Sequence, residues 1–488
     1  MNANLRRIFN MVIALMVILG ISSSLMMVVR ANSLNADSRN TRALYSEFAS
    51  DRGSILASDA NTVLASSRKV KDAFQYQRIY PQGAAYSSVT GFFSINQRAR
   101  YGVEASRNEQ LSGMSDSLWI ARVQSLIEGK ANKGAIVETS IDPKLQSLAY
   151  RLMQGKTGAV VAMEPTTGRI LAMVSTPSYD PNALASHDTV AANKAWSQLA
   201  GGSNSPLINK ATSQLFPPGS TFKLVVAAAA LESGKYTMDS QIPAGPSYTL
   251  PNTTTKLTNS STPANGVNGK ISLSDALAYS SNTAFAQLAV ALGKDAIKEE
   301  AEKLGFGSSI TIDGNDTLGT PMTSVASVFP DTASDDRLAL AGIGQGDTTE
   351  TPLLNAMIAS TIANKGVMLH PTIVDRVRST DLSVISTRST TTLSQAFSAQ
   401  TADGLSKAMQ SVITKDAPSL KISGIAVAAK TGTAQVGLSK TTNDGWITGF
   451  APADNPKIAI SVVVTGTTTF GVTTAGPIMK QLMQEYLQ

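Results

Sequence analysis

The sequence predicts an α+β protein built on a five-stranded antiparallel sheet, and three observations predict it. The stretch "GAVVAMEPTTGRILAMVSTPSYDPN" sets two runs of β-type alternation on either side of Pro165–Gly168, the signal of an antiparallel hairpin. Near the carboxyl end, "ISGIAVAAKTGTAQV", "GWITGFAP" and "PKIAISVVVTG" read as three more strands, followed by a helix through "AGPIMKQLMQEYL". Between the two sets, helical periodicity appears at 221–232, 272–291 and 294–304. Strands at both ends of a helical middle imply one antiparallel sheet closed by the two halves of the segment, with a helical subdomain inserted.

The elements before this unit are smaller. At 488 residues the chain is too long for a single small core and divides, on this reading, into 1–30, 31–150 and 151–488. Arg6 and Arg7 precede "IFNMVIALMVILGISSSLMMVV", whose length from Ile8 to Val29 suits a membrane-spanning helix of roughly 20 apolar residues. The rival is a cleaved signal peptide with Gly20 and Ser22 imitating the cleavage site, but apolar residues resume from Leu25 to Val29, which favours an uncleaved anchor. The two arginines place the short tail on the cytoplasmic side and the bulk of the chain outside a plasma membrane, although Arg30, Arg39 and Arg42 oppose that bias. Residues 31–150 read as a small mixed domain of short strands and turns, with a hairpin around Asp59 to Asn61 in "DRGSILASDANTVLAS". "SIDPKLQSLAYRLMQG" then reads as a helix capped by Asp142, opened by Pro143 and stopped by Gly155, at the domain junction. "PNTTTKLTNSSTPANGVNGK" and 314–336 read as surface loops.

Composition narrows the chemistry. With 42% apolar and 16% charged residues the chain is globular, and a net charge of +6 favours anionic neighbours without selecting one. There is no zinc-finger spacing, RNA-binding signature or dense basic stripe, so no nucleic-acid partner is expected. Zero cysteines exclude thiol catalysis and disulfides. His187 and His370 are the only histidines and both sit in loop-like contexts; with no His-Glu-x-x-His and no Gly-x-Ser-x-Gly elbow, neither a metal nor a cofactor is expected, nor a His-based serine hydrolase.

Three short motifs remain. In "QLFPPGSTFKLVVAAAA" two prolines and Gly219 lead to Ser220 at the start of an apolar helix, and Lys223 returns over it one turn later. A lysine kept neutral by burial is able to take a serine proton, which activates a weak nucleophile. The plain alternative is a capping serine with a snorkelling lysine, and "SSRK" at Ser66 to Lys69 has the same spacing. "AYSSNTAF" puts Ser280 and Asn282 at a kink between apolar helical runs; "SLN" at Ser33 and "SIN" at Ser94 share that pattern. "AAKTGTAQV" places Lys430, Thr431, Gly432 and Thr433 on a strand, where a glycine marks close backbone approach and the lysine and two hydroxyls suit a peptide carboxylate. "GKTG" at Gly155 to Gly158 fails as a phosphate loop, because Tyr150 stands where the first glycine belongs.

The ordered set, Ser-x-x-Lys opening a helix, Ser-x-Asn at a kink and Lys-Thr-Gly-Thr on a strand, resembles the class B penicillin-binding proteins in their actinobacterial A type. "RGSI" at 52–55, "YPQGAAYSSVTGF" at 80–92, "GVE" at 102–104, "GRILAMVSTPSYDPN" at 168–182 and "GIGQGDTTETPLLNA" at 342–356 extend the resemblance over nearly the whole chain. It implies the penicillin-binding transpeptidase fold in 151–488, a pedestal or dimerisation-like domain in 31–150, and crosslinking of peptidoglycan stem peptides through a serine acyl-enzyme that β-lactams also form. Carried over residue by residue, Ser220 would be the nucleophile and Lys223 its base. Ser280 would pass a proton to the leaving amine, Asn282 would hold the donor peptide, and Lys430 would supply positive potential. Thr431 and Thr433 beside Gly432 would bind the terminal carboxylate, with backbone N–H groups of Ser220 and Thr433 as oxyanion hole. A membrane glycosyltransferase is the further partner implied. One departure stands out: many relatives carry His-Ala before the strand's tryptophan, where this chain has Asp444 and Gly445.

Other readings share the chemistry. A β-lactamase of class A needs a Glu-x-x-Leu-Asn, which "ETPLLN" at Glu350 to Asn355 imitates with one residue too many, inside an element that crosslinking enzymes carry. A D-alanyl-D-alanine carboxypeptidase uses the same acyl-enzyme with water as acceptor, but its members usually anchor at the other terminus. A bifunctional enzyme would need a glycosyltransferase domain that does not fit before residue 150. A catalytically silent β-lactam sensor or scaffold is the non-enzyme alternative.

Overall fold

A computed structural model describes residues 3–30, 41–115, 118, 133–202, 204–331, 334–436 and 442–488. The Ser33 decoy and Arg39 lie outside them. Helix α1, Ala3–Ser24, runs on into a π-helical turn at Leu25–Val29, and Asn4–Met27 is long and apolar enough to cross a membrane. Its apolar side chains, Leu15, Met16 and Leu19 among them, have no protein to pack on.

Two sheets organise the rest. Their strands are β1 Ile55–Leu56, β2 Val63–Lys69, β3 Tyr76–Ile79, β4 Ile136–Thr139, β5 Gly158–Met163, β6 Ile170–Thr176, β7 Val374–Arg378, β8 Val384–Thr387, β9 Ala428–Val436, β10 Thr442–Ala451 and β11 Ile458–Thr467. The amino-terminal sheet has the order β8-β7-β4-β1-β2-β3 and the second sheet the order β9-β10-β11-β5-β6. The second is antiparallel throughout and five-stranded, as the alternation predicted.

Local signals explain the first elements. Asp59 Oδ1 accepts from the Asn61 and Thr62 amides at 3.0 and 2.8 Å, closing the hairpin between β1 and β2. Helix α2, Pro143–Leu152, starts at Asp142, whose carboxylate accepts from the amides of Lys144 and Leu145. The helical middle contains α3 Lys223–Glu232, α4 Leu273–Ala278, α5 Asn282–Leu292 and α6 Lys294–Lys303. The periodic stretch 272–291 is therefore two helices, broken where Ser280 takes a left-handed φ of 58° and Ser281 caps α5.

One buried helix escapes the periodicity argument. Helix α7, Pro352–Ala363, is apolar all round and buried along almost its whole length, so it shows no face. Helix α8, Ala399–Lys415, and the terminal α9, Gly476–Leu487, complete the set. Alternation on β5 divides the interior into two layers: Ala159, Val161 and Met163 join a core with α3, α5 and α7, whereas Val160 and Ala162 join another with α2 and α9. Every residue of β5 and β6 is buried, because helices cover both faces of this sheet.

Candidate active site

The three motifs meet where α3, the α4–α5 junction and β9 come together. Ser220 lies in a 3₁₀ turn, Gly219–Phe222, that leads into α3. The turn is pressed against β9: a Cβ on Gly219, which sits at φ 55°, would come within 2.7 Å of Thr433 O, and one on Gly432 within 2.9 Å of the Thr221 methyl. Glycine on both sides is what lets the Ser220 turn and the strand approach this closely. The Trp446 indole N–H donates to Pro217 O at 3.0 Å and the Gly219 amide to Gly344 O at 2.9 Å, fixing the turn from two further sides.

Lys223 is fully buried, and its ammonium donates to Ser280 O at 2.8 Å, Asn282 Oδ1 at 2.7 Å and Ser280 Oγ at 3.3 Å. Lys430, also fully buried, donates to the same Ser280 Oγ at 2.9 Å and to Thr431 O at 3.0 Å. The left-handed backbone of Ser280 is what turns both its oxygens toward Lys223. Two lysines sharing one hydroxyl oxygen cannot both keep a proton cheaply. Burial first, and then the Lys430 charge, hold Lys223 well below the usual lysine range; burial lowers Lys430 to about 8. Ser280 Oγ accepts from both lysines, which leaves its own hydrogen available to be given. Ser220 makes no hydrogen bond to Lys223 in this resting arrangement, a looseness usual before substrate closes a site.

On the cleft side of β9, Thr433 Oγ1 accepts from the Gly471 amide at 3.1 Å, and Thr431 Oγ1 donates to Asp416 Oδ2 at 3.2 Å. Every residue assigned from the three motifs thus lies in one cluster. The decoys do not join it. Ser66 and Lys69 sit on β2, where positions three apart face opposite ways. Ser94 ends a short strand, Phe92–Ser94, and "GKTG" forms the turn into β5. His187 binds Asp72 at 2.6 Å, and the His370 amide donates to Thr391 O, both away from the cluster.

Sequence reasoning missed three contributors, two of them single residues and one a pair. Asn259, inside the stretch read as a surface loop, follows a short hairpin, Ser247–Thr249 with Lys256–Thr258, and its Oδ1 accepts from the amides of Asn282 and Thr283 at 2.6 and 3.1 Å. Glu350 and Asn355 form a buried knot under the Ser220 turn: Asn355 Nδ2 donates to Glu350 Oε1 and, at 3.0 Å, to Thr221 Oγ1. Asp416 is the third. None carries a periodic signal, since each acts across a long gap in sequence. At the departure at 444–445, a Cβ at Gly445 would lie 2.4 Å from Thr474 Oγ1, so an alanine there would have to displace that hydroxyl. Asp444, pushed up to about 6 by burial, accepts from the Gly466 amide across the bulge between β10 and β11.

Known proteins resemble this chain in sequence and fold. Residues 158–484 match the penicillin binding protein transpeptidase domain, and 52–137 match the penicillin binding protein A dimerisation domain. The chain belongs to the penicillin-binding protein transpeptidase family. It is similar to the peptidoglycan D,D-transpeptidase PbpA of Mycolicibacterium smegmatis, 37% identical over 95% of this chain and 94% of that protein. It is likewise 37% identical to the PbpA of Mycobacterium tuberculosis, over 100% of this chain and 99% of the relative. The solved penicillin-binding protein A of M. tuberculosis, as a ceftriaxone acyl-enzyme complex, superposes with a TM-score of 0.85 at 35% identity, covering 91% of this chain and all of that one. A D,D-transpeptidase domain from Eggerthella lenta gives 0.76 at 30% identity, covering 90% and 99%.

Proposed function

We infer that this chain is a peptidoglycan D,D-transpeptidase, and the observation that carries the reading is the shared hydroxyl of Ser280 between Lys223 and Lys430 beside Ser220. In the forward half-reaction neutral Lys223 takes the Ser220 proton as Oγ bonds to the carbonyl carbon of the penultimate D-alanine. The amide bond to the last D-alanine breaks, and its nitrogen receives a proton through Ser280 Oγ. Amides of Ser220 and Thr433 face the developing oxyanion, where each such donor is worth about 2.7–4 kcal/mol in the transition state. Thr431 and Thr433 hold the terminal carboxylate under the positive potential of Lys430, and Asn282 holds the donor peptide. An acceptor amine then attacks the ester, its proton returns by the same route, and Ser220 is released with the crosslink made. A β-lactam enters at the first step and stays.

We also propose that α1 anchors the chain in the plasma membrane, with 1–30 as tail and anchor, 31–150 as pedestal and 151–488 as catalytic domain outside it. A membrane glycosyltransferase is the proposed partner, because the two matched family models account for 52–137 and 158–484 without describing glycan polymerisation. Co-purification in detergent with a polytopic membrane protein tests that part.

The direct test of the chemistry is intact-mass spectrometry of the full chain in detergent after brief and prolonged exposure to benzylpenicillin, with Ser220→Ala alongside. A lasting adduct on wild type and none on the variant is the expected result. A transient adduct with consumed drug means a β-lactamase, turnover of a D-Ala-D-Ala peptide by water alone means a carboxypeptidase, and no adduct leaves a silent scaffold.

A further inference from the structure

Asp416 stands at the carboxyl end of α8, where its amide caps the helix on Val412 O and where the helix dipole disfavours an anion. An acidic residue gains nothing there from the helix, so its position needs another reason. Its carboxylate is half-buried and receives the Thr431 hydroxyl at 3.2 Å, directly after Lys430 in the chain. Lys415, its neighbour, does not neutralise it: that ammonium is engaged by Asp275 and lies 5.5 Å over the Tyr279 ring. Lys223 and Lys430 meet Ser280 and Asn282 from the α4–α5 junction and Thr431 from β9, all of them neutral groups. Among the described residues the carboxylate joined to this pair is Asp416, reached through Thr431, whose hydroxyl it accepts and whose carbonyl Lys430 binds at 3.0 Å; its charge opposes the lowering that burial imposes on each lysine.

We propose that Asp416 is the counter-charge of the lysine pair, keeping Lys430 in its ammonium form from behind Thr431 at pH values where Lys223 has already given up its proton. The proposal rests on the reading of Lys223 as the base of acylation. Asp416 is a positioning residue: it touches neither substrate nor nucleophile, and it acts through the charge it lends the lysine pair. It also sorts the two threonines. Thr433 accepts from Gly471 and keeps its hydrogen for a substrate carboxylate, whereas Thr431 gives its hydrogen to Asp416 until substrate arrives.

The pair titrates as a unit, so the rate of acylation follows a bell whose limbs belong to both lysines. The test measures that rate for the full chain in detergent with a fluorescent penicillin from pH 6 to 10, for wild type, Asp416→Asn, Asp416→Ser and Asp416→Glu. Removing the charge favours the neutral form of each lysine, so both limbs of the Asn and Ser variants move to lower pH. On the alkaline side a move of about half a unit makes them ~threefold slower than wild type, each relative to its own maximum. The Glu variant restores the wild-type limbs. Limbs that stay in place while all rates fall together mean that Asp416 only props Thr431, which overturns the proposal, as does an unchanged profile. Wild type that takes no penicillin at any pH overturns the transpeptidase reading itself.

Discussion

Glu350 illustrates how one side chain changes meaning between sequence and structure. It is fully buried, Asn355 and Thr221 donate to Oε1, and Oε2 has no hydrogen-bond partner among the described residues. Burial pushes its carboxyl up to about 8 against those hydrogen bonds, so it holds a proton at neutral pH and acts as a neutral spacer behind Ser220. It is not the water-orienting glutamate that the Glu350–Asn355 stretch imitates, because it is sealed in the core behind the Ser220 turn. The sign of its contribution follows: between its ordinary value of 4.5 and about 8 the unfolded chain has lost this proton and the folded chain has not. Stability falls by about 1.4 kcal/mol per pH unit across that window. Glu350→Gln, permanently neutral, should gain on wild type steadily from pH 5 to pH 8 in thermal unfolding. A difference that does not change with pH would mean that the group is already ionised in the fold.

At the scale of elements, the α4–α5 junction is held from outside by a loop. Asn259 caps the first amides of α5, and its Nδ2 gathers Gly245 O, Ala264 O and Asn265 Oδ1 at 2.9–3.1 Å. Because the same junction presents Asn282 Oδ1 to Lys223, Asn259→Ala should cost about 1–2 kcal/mol of stability, the usual value of a lost cap. It should also slow penicillin acylation about tenfold, as about 1.4 kcal/mol of barrier would. Lost stability with an unchanged acylation rate would reduce Asn259 to a loop clasp. The elements themselves divide by how local their cause is. β5, β6 and β9–β11 were legible from alternation and turn residues, and α2 from its cap. Ser220, Lys223, Ser280, Asn282 and Lys430 were legible because each motif is a short spacing on one element. The hold of Asn259 on α5, of Asp416 on Thr431 and of β7 on β4 spans from 15 to more than 200 positions, where periodicity says nothing, and α7 is buried on every side and so has no pattern to show.

At the scale of the molecule, the amino-terminal sheet is not closed by its own segment. β7, which follows the helical subdomain in sequence, pairs onto β4, and β8 pairs onto β7 to complete it. Arg107 and Ser106 reach across to Asp313 as well, at 2.5 and 2.6 Å. At the centre of the amino-terminal half lies Glu104, fully buried, with Arg52 on Oε2 at 2.7 Å and Arg78 and Tyr80 on Oε1 at 2.6 and 3.0 Å. This joins the "RGSI" and "GVE" stretches that were separate in the sequence. Burial alone would raise its carboxyl, but the Arg78 and Arg52 charges outweigh that and hold it below 4.5. Its contribution is therefore present above 4.5 and is lost as pH falls through the lower folded value. Glu104→Gln leaves two buried guanidinium groups unpaired, which costs about 3–5 kcal/mol. Since strands from both halves share one sheet, that loss should lower a single unfolding transition of the whole chain outside the membrane, with penicillin binding lost at the same temperature. Two separable transitions, with the penicillin-binding one unmoved, would mean that the halves fold independently despite the strands they share.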